Sequence, residues 1–277
     1  MKEDLKQRKN RRKDRLSTNL KRLSEFNREY KKRYFYMIIN NRKEGERLLG
    51  QNSIRFLLLS LQRSKFMSES LLDCLRSRKV SAAYLIARAH FEVTGLVAYF
   101  YKHLGDFYNN KITYEEMDKI LRGLVLGGKK FPDKDKRKEV NVPDSINVLT
   151  LIGEADKLFN SMANEKKDIF INCYDFLSEF CHPNCLGLTL GSDYIDWNKC
   201  VFAKKQSFKN EDLGILLSYI CISSSFFFAI YDKCFALVKD REKNDMPFLL
   251  RSLPSAIWTL LKYGLNLQRF VDVVRKY

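Results

Sequence analysis

Histidine is scarce in this chain: there are three in 277 residues, at His90, His103 and His182. Glu179 and His182 have the Glu-x-x-His spacing of half a carboxylate-bridged di-iron centre, but such a centre needs two of these motifs. Neither His90 nor His103 has a Glu three residues before it. Cys181, His182 and Cys185 are close in sequence, yet Cys181 and His182 leave a helix in different directions, which argues against zinc. No metal or cofactor is expected. Also missing are a G-x-x-x-x-G-K-[ST] phosphate loop, a G-x-G-x-x-G turn after a strand and a G-x-S-x-G elbow, so most nucleotide-driven enzymes and α/β hydrolases are disfavoured. The charged N-terminus lacks the apolar segment of a secretory signal. No two cysteines have C-x-x-C spacing, and the seven present are an odd number, several of them within apolar helical patterns. Reduced, mostly buried thiols in a cytoplasmic protein are expected.

Acidic residues are also in deficit. Fifty Lys and Arg stand against 33 Asp and Glu, a net charge of +17 and a pI near 9.5. A surplus of that size makes polyanions the natural partners: RNA, DNA or an anionic membrane face. Residues 1–47 alone carry seventeen basic and seven acidic side chains. The densest run holds Arg8, Lys9, Arg11, Arg12, Lys13 and Arg15. Leu16, Leu20, Leu23, Phe26, Tyr30, Tyr34 and Met37 then recur at threes and fours, one apolar stripe on a long basic helix. Two readings follow. The helix packs on the body of its own fold with a solvated outer face, or it is a basic arm laid on nucleic acid. The expected division is a basic helical arm over 1–48 and a helical bundle over 49–277.

The rest of the chain reads as all-α. Gly50-Gln-Asn-Ser53 is a break with a candidate N-cap, followed by a helix to about Arg78. A third helix runs from about Ser81 to His103, and a short one covers 113–124. The basic stretch Gly127–Glu139 reads as a solvated connection. Pro143-Asp-Ser145 announces the next helix, to about Ser161, and another starts near Glu165. Pro183 ends that one, because proline disfavours helix in the residue before it. Residues 186–206 are expected to form an irregular insertion with one small hairpin, in which Asn184 and Gly187 fit the first turn. Residues 213–231 contain no charge and are just long enough to span a bilayer. Four Ser and two Tyr dilute the stretch, and the central helix of a bundle accounts for it equally. The tail, with Trp258, Leu261 and Phe270, reads as one or two closing helices.

Chemistry concentrates in two places. Tyr174, Ser178 and His182 sit four apart, a polar stripe between Phe176, Leu177 and Phe180. Arg88 and Glu92 are four apart on a largely apolar helix. If the two helices touch, His182 as general acid/base and Arg88 as a phosphate clamp form a sufficient kit for metal-free RNA cleavage, with the 2′-hydroxyl as nucleophile. The other reading is a polar network that specifies packing, with Glu92 paired to Arg88 and His182, and with Ser178 and Tyr174 filling the remaining bonds.

Arg88-Ala-His-Phe91-Glu92, followed by Tyr174-x-x-x-Ser178-x-x-x-His182-Pro, resembles a bacterial family of all-helical proteins with an Arg-x-x-(Phe/Tyr)-Glu helix and a Tyr-x-x-x-Ser-x-x-x-His helix. The likeness covers about residues 50–240. More loosely the arrangement is similar to HEPN domains, all-α bundles that act as metal-independent RNases or RNA-binding modules in defence and toxin–antitoxin systems. The resemblance implies an RNA-directed role, a homodimer, and a partner protein or antitoxin. His182 matches the HEPN histidine. The Arg that precedes it by four to six residues in that family has no counterpart, so Arg88 would have to substitute from another helix. The alternatives are a non-catalytic subunit that binds nucleic acid or protein, and a membrane-associated effector using 213–231.

Overall fold

The computed structural model describes residues 2–35, 37–39, 48–126, 144–164, 167–190, 193–196, 199–201, 210–243 and 246–250, with α1 side chains from Ser17 onward. The chain is an all-α bundle. Its helices are α1 (Lys2–Arg33), α2 (Leu49–Arg76), α3 (Val80–Tyr108), α4 (Tyr114–Leu126), α5 (Val148–Ala163), α6 (Ile169–Cys181), α7 (Cys185–Thr189) and α8 (Asn210–Arg241). Two antiparallel ladders accompany them. β1 (Met37–Ile39) pairs with β4 (Phe248–Leu250), and β2 (Asp193–Asp196) pairs with β3 (Lys199–Val201) as the expected small hairpin. The basic connection 127–139, the tail from 251, and Trp197 and Ala203 of the insertion lie outside the described residues.

Two helices form the centre. α3 packs against α2, α4, α5, α6 and α8, and α8 packs against α1, α2 and α3. This placement explains the uncharged run in α8. The helix is long and apolar enough to cross a membrane, but 56% of its apolar window is buried inside the bundle. Two of its serines, Ser223 and Ser224, are fully buried in the core. Ser223 Oγ lies 2.9 Å from His90 Nδ1 and 2.9 Å from Thr94 Oγ1. On the other side of the imidazole, Nε2 meets Ser64 Oγ at 2.8 Å, and Ser64 meets the Tyr30 hydroxyl at 2.6 Å. One buried polar network thus ties α1, α2, α3 and α8. Each of its members has a partner, which is the condition for a polar group to sit in a core at low cost.

α1 runs parallel to α8. Asn19 bonds Ser218 at one level, and Arg33 makes a bidentate ion pair with Asp232 at another, both at 2.7 Å. The sequence offset is 199 at each level. Leu23, Phe26 and Tyr30 are buried at the positions the stripe assigned to them, and Phe26 and Tyr30 pack their rings on Phe228. From Leu23 onward α1 is therefore packed into the bundle core.

Several helix starts differ from the sequence reading, each for a local reason. α2 begins at Leu49 and runs through Gly50-Gln51-Asn52, and Ser53 lies inside it, fully buried, rather than capping it. Burial of Leu49 and Gly50 outweighs the weak helix propensity of glycine. α2 ends in a tight turn at Arg78, whose φ of 54° is left-handed, and Lys79 N–H reaches back to Cys74 O at 2.8 Å. That six-to-one bond satisfies a terminal carbonyl and turns the chain directly into α3. α4 opens with a capping box. Thr113 N–H donates to Glu116 Oε2 at 2.7 Å, and Glu116 N–H donates to Thr113 Oγ1 at 3.2 Å. α5 is capped by Asn147 rather than Ser145, through Leu149 N–H at 2.9 Å. α6 starts at Ile169, not near Glu165. The buried carboxylate of Asp156 on α5 accepts from Phe170 and Ile171 N–H at 2.8 and 3.2 Å, so a neighbouring helix supplies the cap.

Candidate functional site

α3 and α6 are neighbours, packed through Phe91 on Phe170 and Tyr84 on Phe180. That contact brings Arg88, Glu92 and Tyr174 together. The Tyr174 hydroxyl accepts from Arg88 Nε at 3.2 Å and Nη2 at 3.0 Å, and donates to Glu92 Oε1 at 3.1 Å. Arg88 Nε also lies 3.5 Å from Glu92 Oε1, as the four-residue spacing requires. Tyr174 itself is buried, while the Arg88 and Glu92 side chains are 25% and 35% exposed. The cluster is therefore rooted in the core and open at its charged rim.

Its titration follows from that position. Burial works against the charge on Arg88, but the Tyr174 hydroxyl and Glu92 carboxylate hold its pKa above the ordinary value. Burial raises the Tyr174 phenol, against the pull of Arg88. The guanidinium stays charged and the phenol stays protonated near neutral pH. The trio can bind an anion at its rim through Arg88.

The structure does not put His182 in this stripe. α6 ends at Cys181, and His182 is an exposed C-cap residue in extended backbone, with φ −86° and ψ 152°. Among the described residues no hydrogen bond joins its ring to Arg88, Glu92, Tyr174 or Ser178. The reason lies in helical periodicity. Two steps of four residues drift about 80° around a helix, while a step of seven drifts only about 20°. Cys181, seven residues after Tyr174, therefore occupies the place that the four-residue spacing assigned to His182. The Cys181 thiol interacts with Arg88 and Glu92; burial raises its pKa, and Arg88 partly offsets the rise. Ser178 Oγ is shielded from solvent and has no partner among the described residues. Neither expected arrangement is realised in full, since Glu92 pairs with Arg88 and Tyr174 rather than with His182.

The end of α6 is shaped by Asn184 and Gly187, as their turn chemistry suggested. Asn184 Oδ1 accepts from Gly187 N–H at 2.9 Å, and its amide donates to Glu179 Oε2 at 2.6 Å. A Cβ at Gly187 would run into the His182 carbonyl oxygen, so the close approach requires glycine.

The basic run occupies the first half of α1. Arg8, Lys9, Arg11, Arg12, Lys13 and Arg15 lie within its helical backbone, and their side chains are outside the described residues. The helix as a whole carries fourteen basic residues against five acidic. By the constant offset to α8, Asn210 is level with Arg11, so residues 2–10 run past the start of α8.

Sequence reasoning missed two features. One is Cys181, set aside with the other thiols although its seven-residue spacing from Tyr174 was readable. The other is the His90 network, whose only local sign was serine inside an apolar helix. Among the described residues no three His, Cys, Asp or Glu side chains converge to hold a metal ion. No family model matches the chain, and neither a curated protein nor a solved structure matches it.

Proposed function

We propose that this protein binds RNA through α1. The observation that carries the reading is the charge of one helix: fourteen basic residues against five acidic, over a length of about 48 Å. The second half of that helix is anchored by Leu23, Phe26, Tyr30 and the Arg33–Asp232 pair. A pre-ordered cationic rod loses little conformational entropy when it meets a polyanion, and the release of condensed counterions drives the association. The test is a titration of labelled RNA with full-length protein across a range of salt concentrations. Replacing Lys9, Arg11, Arg12, Lys13 and Arg15 with Gln is expected to weaken binding at least about tenfold and to flatten the salt dependence. His182→Ala is expected to bind as wild type. Unchanged binding by the five-residue variant would overturn the reading.

A second reading is catalytic, a metal-independent ribonuclease of a bacterial defence or toxin module. His182 would be general acid/base and Arg88 the phosphate clamp, with Glu92 and Tyr174 orienting the guanidinium. One observation favours it: exposed His182 directly follows Cys181, whose thiol sits beside the Arg88 guanidinium. Cleavage of labelled single-stranded RNA in EDTA, present in wild type and lost in His182→Ala, is the expected result. Folded wild-type protein that leaves the RNA intact would remove this reading and leave binding by α1 untouched.

A further inference from the structure

A groove of about 520 Å³ runs between α1 and α5 over the face of α8, remote in sequence from the Arg88 cluster. Phe159, Met162, Ile222 and Phe226 make its surface largely apolar, and Asn19 and Arg22 form the α1 wall. Asn19 is held in place there, with its amide donating to Ser218 Oγ at 3.1 Å. Its volume is that of a small-molecule site: concave, mostly apolar, and edged by a few polar groups.

The α1 wall continues a pattern that begins at the N-terminus. Arg8, Arg11, Arg15, Asn19 and Arg22 are spaced by three, four, four and three, which places all five positions on one face of α1. That face overlaps one edge of the stripe of Leu23, Phe26 and Tyr30, and its last two members, Asn19 and Arg22, line the groove. An arginine track ending at an apolar, aromatic slot matches one kind of ligand, a strand with a repeating anionic backbone and flat apolar bases. An acyl chain would use the slot and leave the track empty. A duplex would use the track but keep its bases stacked outside the slot.

We propose that this groove receives a base of single-stranded RNA whose phosphates follow the Arg8, Arg11, Arg15 and Arg22 face of α1. The inference rests on the reading of α1 as the RNA-binding helix and adds the strandedness and the pocket. Half-buried Phe159, backed by buried Phe226, gives the base an aromatic, apolar seat, and Arg22 meets the phosphate at the mouth.

The test compares three probes by fluorescence anisotropy with the full-length protein: a labelled single-stranded RNA, an abasic strand of the same length and charge, and an RNA duplex. Wild type is expected to bind the single-stranded RNA about tenfold more tightly than the abasic strand. Ser225→Leu narrows the groove without altering charge. It is expected to remove that preference while leaving affinity for the abasic strand unchanged, and circular dichroism confirms that the variant is folded. Equal wild-type affinity for RNA and abasic strand would overturn the base pocket and leave α1 as a phosphate-binding helix, with the groove open to an acyl chain or a partner helix. Failure of wild type to bind any of the three probes would overturn the reading of α1 itself, and the pocket with it.

Discussion

Tyr174 on α6 and Arg88 on α3 are joined by two hydrogen bonds into one phenol oxygen, at 3.2 and 3.0 Å. The same hydroxyl donates to Glu92, so a single atom links a cation and an anion that lie four residues apart on the facing helix. Tyr174→Phe keeps the ring and its packing and removes that link. It is expected to lower stability by about 1–2 kcal/mol, since the bonds involve charged groups but reach a partly solvated rim. Urea unfolding of the variant beside wild type measures it. A midpoint that does not move would mean that water replaces the hydroxyl without cost, and that the cluster does not hold α3 and α6 together.

The His90 network makes stability depend on pH in a known direction. Burial lowers the His90 pKa from 6.5 to about 3, so the folded protein keeps the ring neutral while the unfolded chain takes up a proton below about pH 6.5. Between those two values the unfolded state binds the extra proton. Stability is therefore complete above about pH 6.5 and falls as the pH drops toward the folded value. Between pH 7.5 and 5 the loss assigned to His90 is about 2 kcal/mol. His90→Gln is less stable at neutral pH but is expected to lack this component of the slope. Urea midpoints of both proteins at the two pH values test it, and parallel slopes would show that other groups cause the acid sensitivity.

The same two clusters show what a sequence carries and what it does not. Amphipathic helices were legible because their periodicity is local: the stripe Leu23, Phe26, Tyr30 is the one that packs on α8. Thr113 and Glu116 form a capping box three residues apart, and Asn184 and Gly187 form a turn three residues apart, so neither depends on distant chain. The His90 network was not legible, because its partners Ser64 and Ser223 are 26 and 133 residues away. The start of α6 was missed for a similar reason, since its cap, Asp156, is on another helix. The polar stripe was half legible. Tyr174 does meet Arg88 and Glu92, but a count of fours placed His182 where helical geometry places Cys181.

The anchoring of α1 has its own test. Leu23 is fully buried, and Leu20, one turn earlier, is 38% exposed. Leu23→Ala is expected to cost about 2–4 kcal/mol, from lost burial and the cavity it leaves. Leu20→Ala should cost well under half of that. Thermal unfolding of the pair checks the contrast. Equal costs would mean that α1 contributes its charge without being fixed to α8.

Two glycines of α3 provide opposite outcomes for the same substitution. A Cβ at Gly95 would lie 3.2 Å from the carbonyl carbon, the oxygen and the Cβ of Leu151, because α3 and α5 approach closely there. Gly105 has no neighbouring atom within 4 Å. Alanine gains about 1 kcal/mol over glycine in a helix interior at either position. At Gly105 nothing opposes the gain, and Gly105→Ala is expected to stabilise by about 0.5–1 kcal/mol. At Gly95 the backbone of α5 has to move, and overpacking of that kind costs about 1–3 kcal/mol. Gly95→Ala is therefore expected to be neutral at best and destabilising by up to about 2 kcal/mol. Melting temperatures of the two single variants beside wild type decide it. If Gly95→Ala melts as high as Gly105→Ala, α3 and α5 are not in the close contact that positions Asp156 to cap α6, and the placement of Tyr174 against Arg88 loses its structural basis.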